Sequence, residues 1–321
     1  MSRKNSSVNL KNGFKDHKDL SSIFLNFKNK LDSLKKKKYL VAVSGGPDSL
    51  ALVALTKAYT FCKKTMFYYL LVDHNIRKNS SQEAEKVKKL LKKEYFNLKV
   101  LLNKQRITKN IQAEARNVRY GILKSFCKKN NIKIILTAHN LEDQVETFLI
   151  RLSRGSGLKG LSAMESKTKI DNQVILFRPL LDTQKRFLIK ISKIVFGKYF
   201  KDPSNRNEKY LRTRVRNLKK PLEKSGIKYE KIFKSIQNLS QSKMTLNRYL
   251  SKIFKEFIKK KSNSEILINF KKYQHLNNDT KIAVINHSIK QLKRNYYDLR
   301  SKKVENLINN LDKKNFKTFT L

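Results

Sequence analysis

The stretch that most constrains this chain is Ser44-Gly45-Gly46-Pro47-Asp48-Ser49, set between an apolar run, Tyr39 to Val43, and a helical pattern beginning at Leu50. A strand that passes through two glycines into a helix start points several backbone N–H groups, and the positive end of the helix dipole, at one place. That place suits a phosphate. The glycines allow close backbone approach, Ser44 and Ser49 add hydroxyl donors, and Pro47 fits the first helical turn, where its missing N–H is not needed. Asp48 is by default a carboxylate favoured at a helix start, but beside a triphosphate it becomes a holder of Mg²⁺. The same residue types populate any strand-to-helix turn, so it is the six residues in this context that carry the reading. No G-x-x-x-x-G-K-[ST] occurs, which excludes a Walker A loop.

Charge narrows the class of partner. Against 25 Asp+Glu stand 73 Lys+Arg, a formal net charge of +48, and such a surface favours a polyanion because each neutralised phosphate releases counterions. A lysine- and asparagine-rich genome composition would produce part of the same bias. Cys62 and Cys127 lie far apart and fit no metal or redox spacing, so buried free thiols in a reducing compartment are expected. No apolar run approaches the length of a membrane span and the N-terminus lacks a hydrophobic signal core, so the chain reads as soluble, cytoplasmic and without a membrane partner. At 321 residues, two domains are the natural expectation.

In chain order, residues 1–19 are polar and read as a disordered basic tail, and Leu20 to Leu34 has the apolar spacing of a packing helix. Met66 to Val72 reads as a buried strand ending at Asp73-His74. In an open α/β sheet, ligands gather beyond the carboxyl ends of strands, which makes Asp73 and His74 site candidates beside the phosphate loop. A hydrogen-bonded structural pair is the plainer reading of those two. A helix over Ser81 to Tyr95, a strand over Leu98 to Leu102 and a long helix over Asn110 to Lys129 follow. In that long helix Arg116 and Arg119 share a face, where two guanidinium groups can hold phosphate oxygens or form surface ion pairs. A fourth strand, Ile132 to Leu136, leads into Thr137 to Thr147, where His139, Asp143 and Glu146 line up apart from the buried stripe of the next helix. A paired-acid face at a strand's end binds an ammonium or a metal, though single acids there also serve as caps. Gly155-Ser156-Gly157-Leu158-Lys159-Gly160 matches G-x-G-x-x-G by letter but follows a helix, so it is a loop and not a dinucleotide fingerprint.

Taken together, Ser44 to Ser49, Val72-Asp73-His74, Gln112 to Tyr120, His139 to Met164, Arg178-Pro179-Leu180-Leu181, Asp202-Pro203-Ser204-Asn205 and Arg212-Thr213-Arg214-Val215-Arg216 form an ordered set. The loop resembles the PP-loop of the N-type ATP pyrophosphatases, and the whole set resembles the tRNA(Ile)-lysidine synthetase family. That resemblance implies a parallel α/β sheet with helices on both faces over residues 20–222, followed by an all-helical tRNA-binding domain over 223–321. It implies ligation of free L-lysine to C2 of the wobble cytidine in the CAU anticodon of an isoleucine tRNA, through an adenylated cytidine, with AMP and pyrophosphate released. Ser44, Gly45, Gly46, Pro47, Asp48, Ser49, Asp73, His74 and Arg116 would hold ATP with Mg²⁺, Asp48 being the metal candidate. Asp48, His139, Asp143 and Glu146 would carry the chemistry, with Asp143 or Glu146 binding the lysine charge and accepting its proton. Arg212, Arg214 and Arg216 would contact tRNA phosphates.

The chain departs from the family pattern at two places. Glu142 precedes Asp143 where an aspartate is common, and Arg212-Thr213-Arg214-Val215-Arg216 stands where Arg-Asn-Arg-Ile-Arg is common, with the arginines kept. The resemblance implies a chain without the additional C-terminal domain of longer members, and its oligomeric state is left open, a homodimer among the options. Two other readings compete. A tRNA thiolase of the same superfamily would want paired catalytic cysteines, and a non-enzymatic basic RNA-binding protein would not need the ordered loop and acids.

Overall fold

The structure is a computed structural model and describes residues 18–76, 79–105, 107, 111–200, 207–262, 264–292 and 301–312. The tail up to residue 17, the Asp202-Pro203-Ser204-Asn205 motif and the final residues from 313 lie outside the described residues. The chain divides into two compact units, residues 1–237 and 238–321.

The first unit is built on strand β1 (Lys38–Val43), which runs through the glycine loop into helix α2 (Pro47–Cys62). A helix α1 (Lys18–Asp32) precedes it, so Lys18 and Asp19 of the expected tail already belong to a helix. Strand β2 (Met66–Asp73), helix α3 (Ser80–Lys93), strand β3 (Leu98–Leu102), helix α4 (Ile111–Lys129) and strand β4 (Ile134–Leu136) follow. Helix α5 (Leu141–Leu152), the single turn α6 (Leu158–Leu161), strands β5 (Lys167–Lys169) and β6 (Ile175–Phe177) and helix α7 (Lys185–Phe196) complete the sheet region. The sheet order is β3-β2-β1-β4-β6-β5. All pairings are parallel except β5 with β6.

Strand alternation assigns each side chain to one of two cores. Tyr39, Val41 and Val43 of β1 point to one face and pack with α1, α2, α3 and α7, while Leu40 points to the other and packs with Leu123 and Cys127 of α4. Helices thus cover both faces, as the sequence implies. Leu50 to Leu55 are all fully buried, which explains why α2 reads as apolar all round: it is the central helix of its layer. The antiparallel edge strand β5 was not legible as a strand. It is three fully exposed residues, Lys167, Thr168 and Lys169, a charged edge that discourages pairing with another chain.

Helices α8 (Leu211–Asn217) and α9 (Lys219–Lys224) close the first unit, together with the opening of α10 (Tyr229–Phe257). The second unit contains the remainder of α10, a hairpin of β7 (Ile258–Lys260) and β8 (Ile266–Ile268), the turn α11 (Phe270–Tyr273), α12 (Asn278–Leu292) and α13 (Ser301–Asp312). It is helical, as read, with one correction. The polar break after Lys260 lies between the paired strands β7 and β8 of a hairpin and is not a simple interruption between helices. Its core gathers Ile253, Phe257, Tyr273, Val284, Ile285, Val304 and Ile308. Among the described residues, no helix is long and apolar enough to cross a membrane.

Gly45 sits at φ +79°, and a Cβ there would come within 2.4 Å of Val87 Cγ2 on α3. Its carbonyl also accepts a hydrogen bond from the Phe200 N–H at 3.0 Å. Gly45→Ala is therefore expected to cost about 2 kcal/mol or more, from left-handed strain plus overpacking, read as a drop in thermal midpoint. An unchanged midpoint would show that the loop relaxes freely.

Candidate active site

β1 and β4 are neighbours whose following helices, α2 and α5, leave from the same edge of the sheet. This is the point where the strand order reverses, the usual ligand position in such sheets. At β1, Ser49 Oγ donates to the Gly46 carbonyl at 2.9 Å and accepts from the Ser44 N–H at 3.2 Å, closing the loop on itself. The first turn of α2 has Gly46 as its cap residue, Pro47 next, and no side chain capping its N–H groups. Asp48 lies on that turn with its Oδ1 buried and without a hydrogen-bond partner. Burial pushes its carboxyl up to about 6, Asp143 and Glu142 push the same way, and Lys185 opposes them. Lys185 Nζ stands 3.7 Å from Asp48 Oδ2.

At β4, Asn140 and Asp143 form a capping box: Asn140 Oδ1 accepts from the Asp143 N–H at 3.0 Å and Asp143 Oδ2 accepts from the Asn140 N–H at 3.1 Å. The other oxygen of Asp143 accepts from Arg212 Nη2 at 2.8 Å. Glu146, one turn along, has a carboxylate only 4% exposed that accepts from Arg212 Nε at 2.8 Å and Arg216 Nε at 2.7 Å. Both guanidiniums are held above their ordinary range, Arg212 despite its burial through Asp143 and Glu146, and Arg216 chiefly through its hydrogen bond to Glu146. Glu142, also buried, accepts from the Lys185 backbone N–H at 2.8 Å and pairs with Lys219 Nζ at 3.1 Å. Helix α7 has no acid in its own first turn, so Glu142 supplies from α5 the negative charge that its N-terminus favours.

His139 hydrogen-bonds Thr137 Oγ1 through Nδ1 at 3.0 Å. Burial, and then the field of Arg178, Arg116, Arg212 and Arg119, hold its pKa well below the usual imidazole range, so it is neutral at physiological pH. Burial works to raise the Asp73 carboxyl, but hydrogen bonds from Ser81 Oγ at 2.7 Å and the Asn75 N–H at 2.9 Å outweigh it and leave it lowered. Asp73 thereby ties the end of β2 to the start of α3. His74 is lowered by burial and then by Arg119. Arg116 is exposed on α4, and Arg214 turns away from the acids to the carbonyls of Glu208 and Lys209 at 2.9 and 3.1 Å.

The structure thus gathers Asp48, Asp143 and Glu146 with Arg212 and Arg216, and leaves Arg214 outside that group. Lys185, Lys219 and Asn140 are members that sequence reasoning missed. Lys185 had a usable signal: a lysine in the first turn of a helix opposes the dipole, and such a placement asks for a nearby acid.

A glycine loop feeding a helix start, placed at the switch point of a parallel sheet and faced by buried acids, defines a nucleotide-using α/β domain. The PP-loop domain family matches residues 19–222, and the chain belongs to that family. It is 36% identical over 267 residues to the tRNA(Ile)-lysidine synthase of Wolbachia pipientis wMel, covering 81% of this chain and 61% of that protein. To the tRNA(Ile)-lysidine synthase of Orientia tsutsugamushi it is 40% identical over 188 residues, covering 58% of this chain and 42% of the relative. The chain therefore spans about three fifths or less of the length of these curated relatives. Among solved structures, the U34-tRNA thiolase NcsA from Methanococcus maripaludis, with its [4Fe-4S] cluster, aligns with a TM-score of 0.58 at 19% identity. That alignment covers 69% of this chain and 80% of NcsA, and it supports the shared fold.

The raised carboxyl of Asp48 has a consequence for stability. A carboxyl moved from 3.8 to about 6 on folding favours the folded state when protonated, so its contribution is lost as pH rises through that window. Asp48→Asn is expected to raise the thermal midpoint of the ligand-free protein at pH 7.5 (an assay condition; ~2–4 °C per kcal/mol for a chain of this size). The gain should shrink towards pH ~4. A gain independent of pH would contradict the assignment.

Proposed function

We propose that the chain is an ATP-dependent lysidine-forming ligase: it joins L-lysine to C2 of the wobble cytidine in the CAU anticodon of tRNA(Ile), releasing AMP and pyrophosphate. The observation that carries this reading is the convergence of Asp48, Asp143 and Glu146 beside the glycine loop, in a chain whose PP-loop domain resembles tRNA(Ile)-lysidine synthases over most of its length. A net charge of +48 supports a tRNA partner, and a cytoplasmic location fits that substrate.

In this reading the loop from Ser44 to Ser49 receives the ATP phosphates on the uncapped N–H groups of α2. Asp48 suits Mg²⁺, since its Oδ1 is buried without a partner and its charge is under-compensated. Among the described residues no group of three or more His, Cys, Asp or Glu is placed to hold a metal ion by itself, so phosphate oxygens and water would complete the ion's shell. Bound there, the ion would neutralise phosphate charge.

Adenylation of the cytidine oxygen creates a leaving group, and a neutral lysine amine then displaces AMP at C2. A protonated amine cannot attack, so a carboxylate must accept a proton. Asp143 is the better placed of the two acids. Its side chain is 20% exposed against 4% for Glu146, and both Glu146 oxygens are occupied by guanidiniums. Neutral His139 adds no charge that would repel the incoming ammonium. Arg212 and Arg216 are committed to holding the acids in place, which leaves Arg214, outside that clasp, as the one of the three for a tRNA phosphate. The thiolation alternative is disfavoured because Cys62 and Cys127 form no pair and burial pushes the Cys127 thiol up to about 12, which makes it a poor nucleophile.

Labelled lysine is expected to enter tRNA(Ile) with a CAU anticodon and not methionine tRNA with the same anticodon, in the presence of ATP and Mg²⁺. Asp143→Asn should lower that transfer about a hundredfold or more. Undiminished transfer by Asp143→Ala and Glu146→Ala would remove both acids from the mechanism, and pyrophosphate release without lysine incorporation would discard lysine as the nucleophile.

A further inference from the structure

Each acid of the site stands beside a cation, whereas the arginines on its far side form no ion pair with a described acid, the field of Glu165 reaching only as far as Arg178. Arg116 and Arg119 of α4 both lie over the Tyr120 ring, with Cζ 5.1 and 5.3 Å from its centroid. The Tyr120 ring packs against the core on the α4 face of the sheet, and both its hydroxyl and Arg119 Nε are buried without a hydrogen-bond partner. Arg178, only 6% exposed, follows β6. Its Nη1 donates to the Glu165 carbonyl and Thr168 Oγ1, both at 2.8 Å, while its Nε is buried and unpartnered. His74 Nδ1 is buried and unpartnered as well. Among the described residues, none of the three arginines forms an ion pair.

Arg178 is the costliest member, because a buried guanidinium in the repelling field of Arg116 has two hydrogen bonds and no paired carboxylate to offset its lost solvation. An anion would compensate all of them together. Guanidiniums laid on an aromatic ring are pre-organised and present planar N–H forks, the geometry that suits phosphate oxygens. The ATP phosphates already have the glycine loop at the end of β1, whose helix α2 packs on the opposite face from α4. His139 links the two regions, feeling Arg178, Arg116 and Arg119 as well as Arg212 of the acidic cluster.

We propose that Arg119, Arg178 and the Tyr120 hydroxyl form, with Arg116, a phosphate site that holds a backbone phosphodiester of the RNA loop carrying the target nucleotide. A base entering the acidic cluster brings its own phosphates along, only a sugar away, and they are repelled from Asp48, Glu142, Asp143 and Glu146. The unanswered arginines beyond His139 take them. This site rests on the reading of the chain as a tRNA-modifying enzyme.

The test compares wild type with Arg119→Gln and Arg178→Lys, measuring tRNA dissociation constants across a salt series and the KM values for ATP and lysine. Arg119 is partly exposed, so its variant carries the test if Arg178→Lys does not fold. Arg119→Gln is expected to weaken tRNA binding roughly tenfold and flatten its log–log salt dependence by ~0.7–0.9, with KM for ATP and lysine unchanged. Methylphosphonates flanking the target cytidine should weaken wild type and leave the variant unaffected. A rise in KM for ATP or lysine with tRNA affinity intact would assign the arginines to that substrate and overturn the proposal, as would no change in any of the three. A wild-type protein that binds no tRNA would instead overturn the functional reading, and the site with it.

Discussion

The carboxylate of Glu146 is almost wholly out of water, clasped by the side chains of Arg212 and Arg216. Removing either guanidinium would leave the buried charge of Glu146 with one cation in place of two. The clasp joins α5, which grows from the end of β4, to α8, some seventy residues further along the chain. It therefore fixes the region after the sheet against the carboxyl ends of the strands, where the glycine loop waits. Fold and site share one electrostatic joint.

Around that joint, charge is arranged by layer. Asp143 divides its oxygens between the start of its own helix and Arg212, and Glu142 divides its own between the start of α7 and Lys219. The length of the Glu142 side chain is what an arm reaching another helix requires. Lys185 is thereby held beside Asp48, the acid left with one unpartnered oxygen. A site that keeps a buried carboxyl near 6 in the absence of ligand gives up stability for the ability to welcome a cation.

Much of this was legible in the sequence, for identifiable reasons. β1, β2 and β4 are buried on both faces and so appear as continuous apolar runs, and the glycine loop announces itself by residue types that few other turns combine. β5 and β6 were not legible because each is three residues long and one is fully exposed. The hairpin of β7 and β8 is equally short, and its turn looks like any polar break. Acids and arginines were both visible, but their pairing was not: spacing reports neighbours within a helix and says nothing of partners 66 to 70 residues away. Asp73 was visible by position at a strand end, yet its hydrogen bonds to Ser81 and Asn75 depend on a turn that no periodicity describes.

In the proposed function the switch-point loop serves cleavage of ATP between its α and β phosphates, driven by an RNA substrate. The most direct measurement follows α-labelled ATP through the reaction, with and without tRNA(Ile), and separates the labelled products. A lysidine-forming ligase yields AMP as the labelled product, with pyrophosphate in equal amount and formed only when the tRNA is present. Labelled ADP, or AMP formed at the same rate without RNA, would contradict that reading.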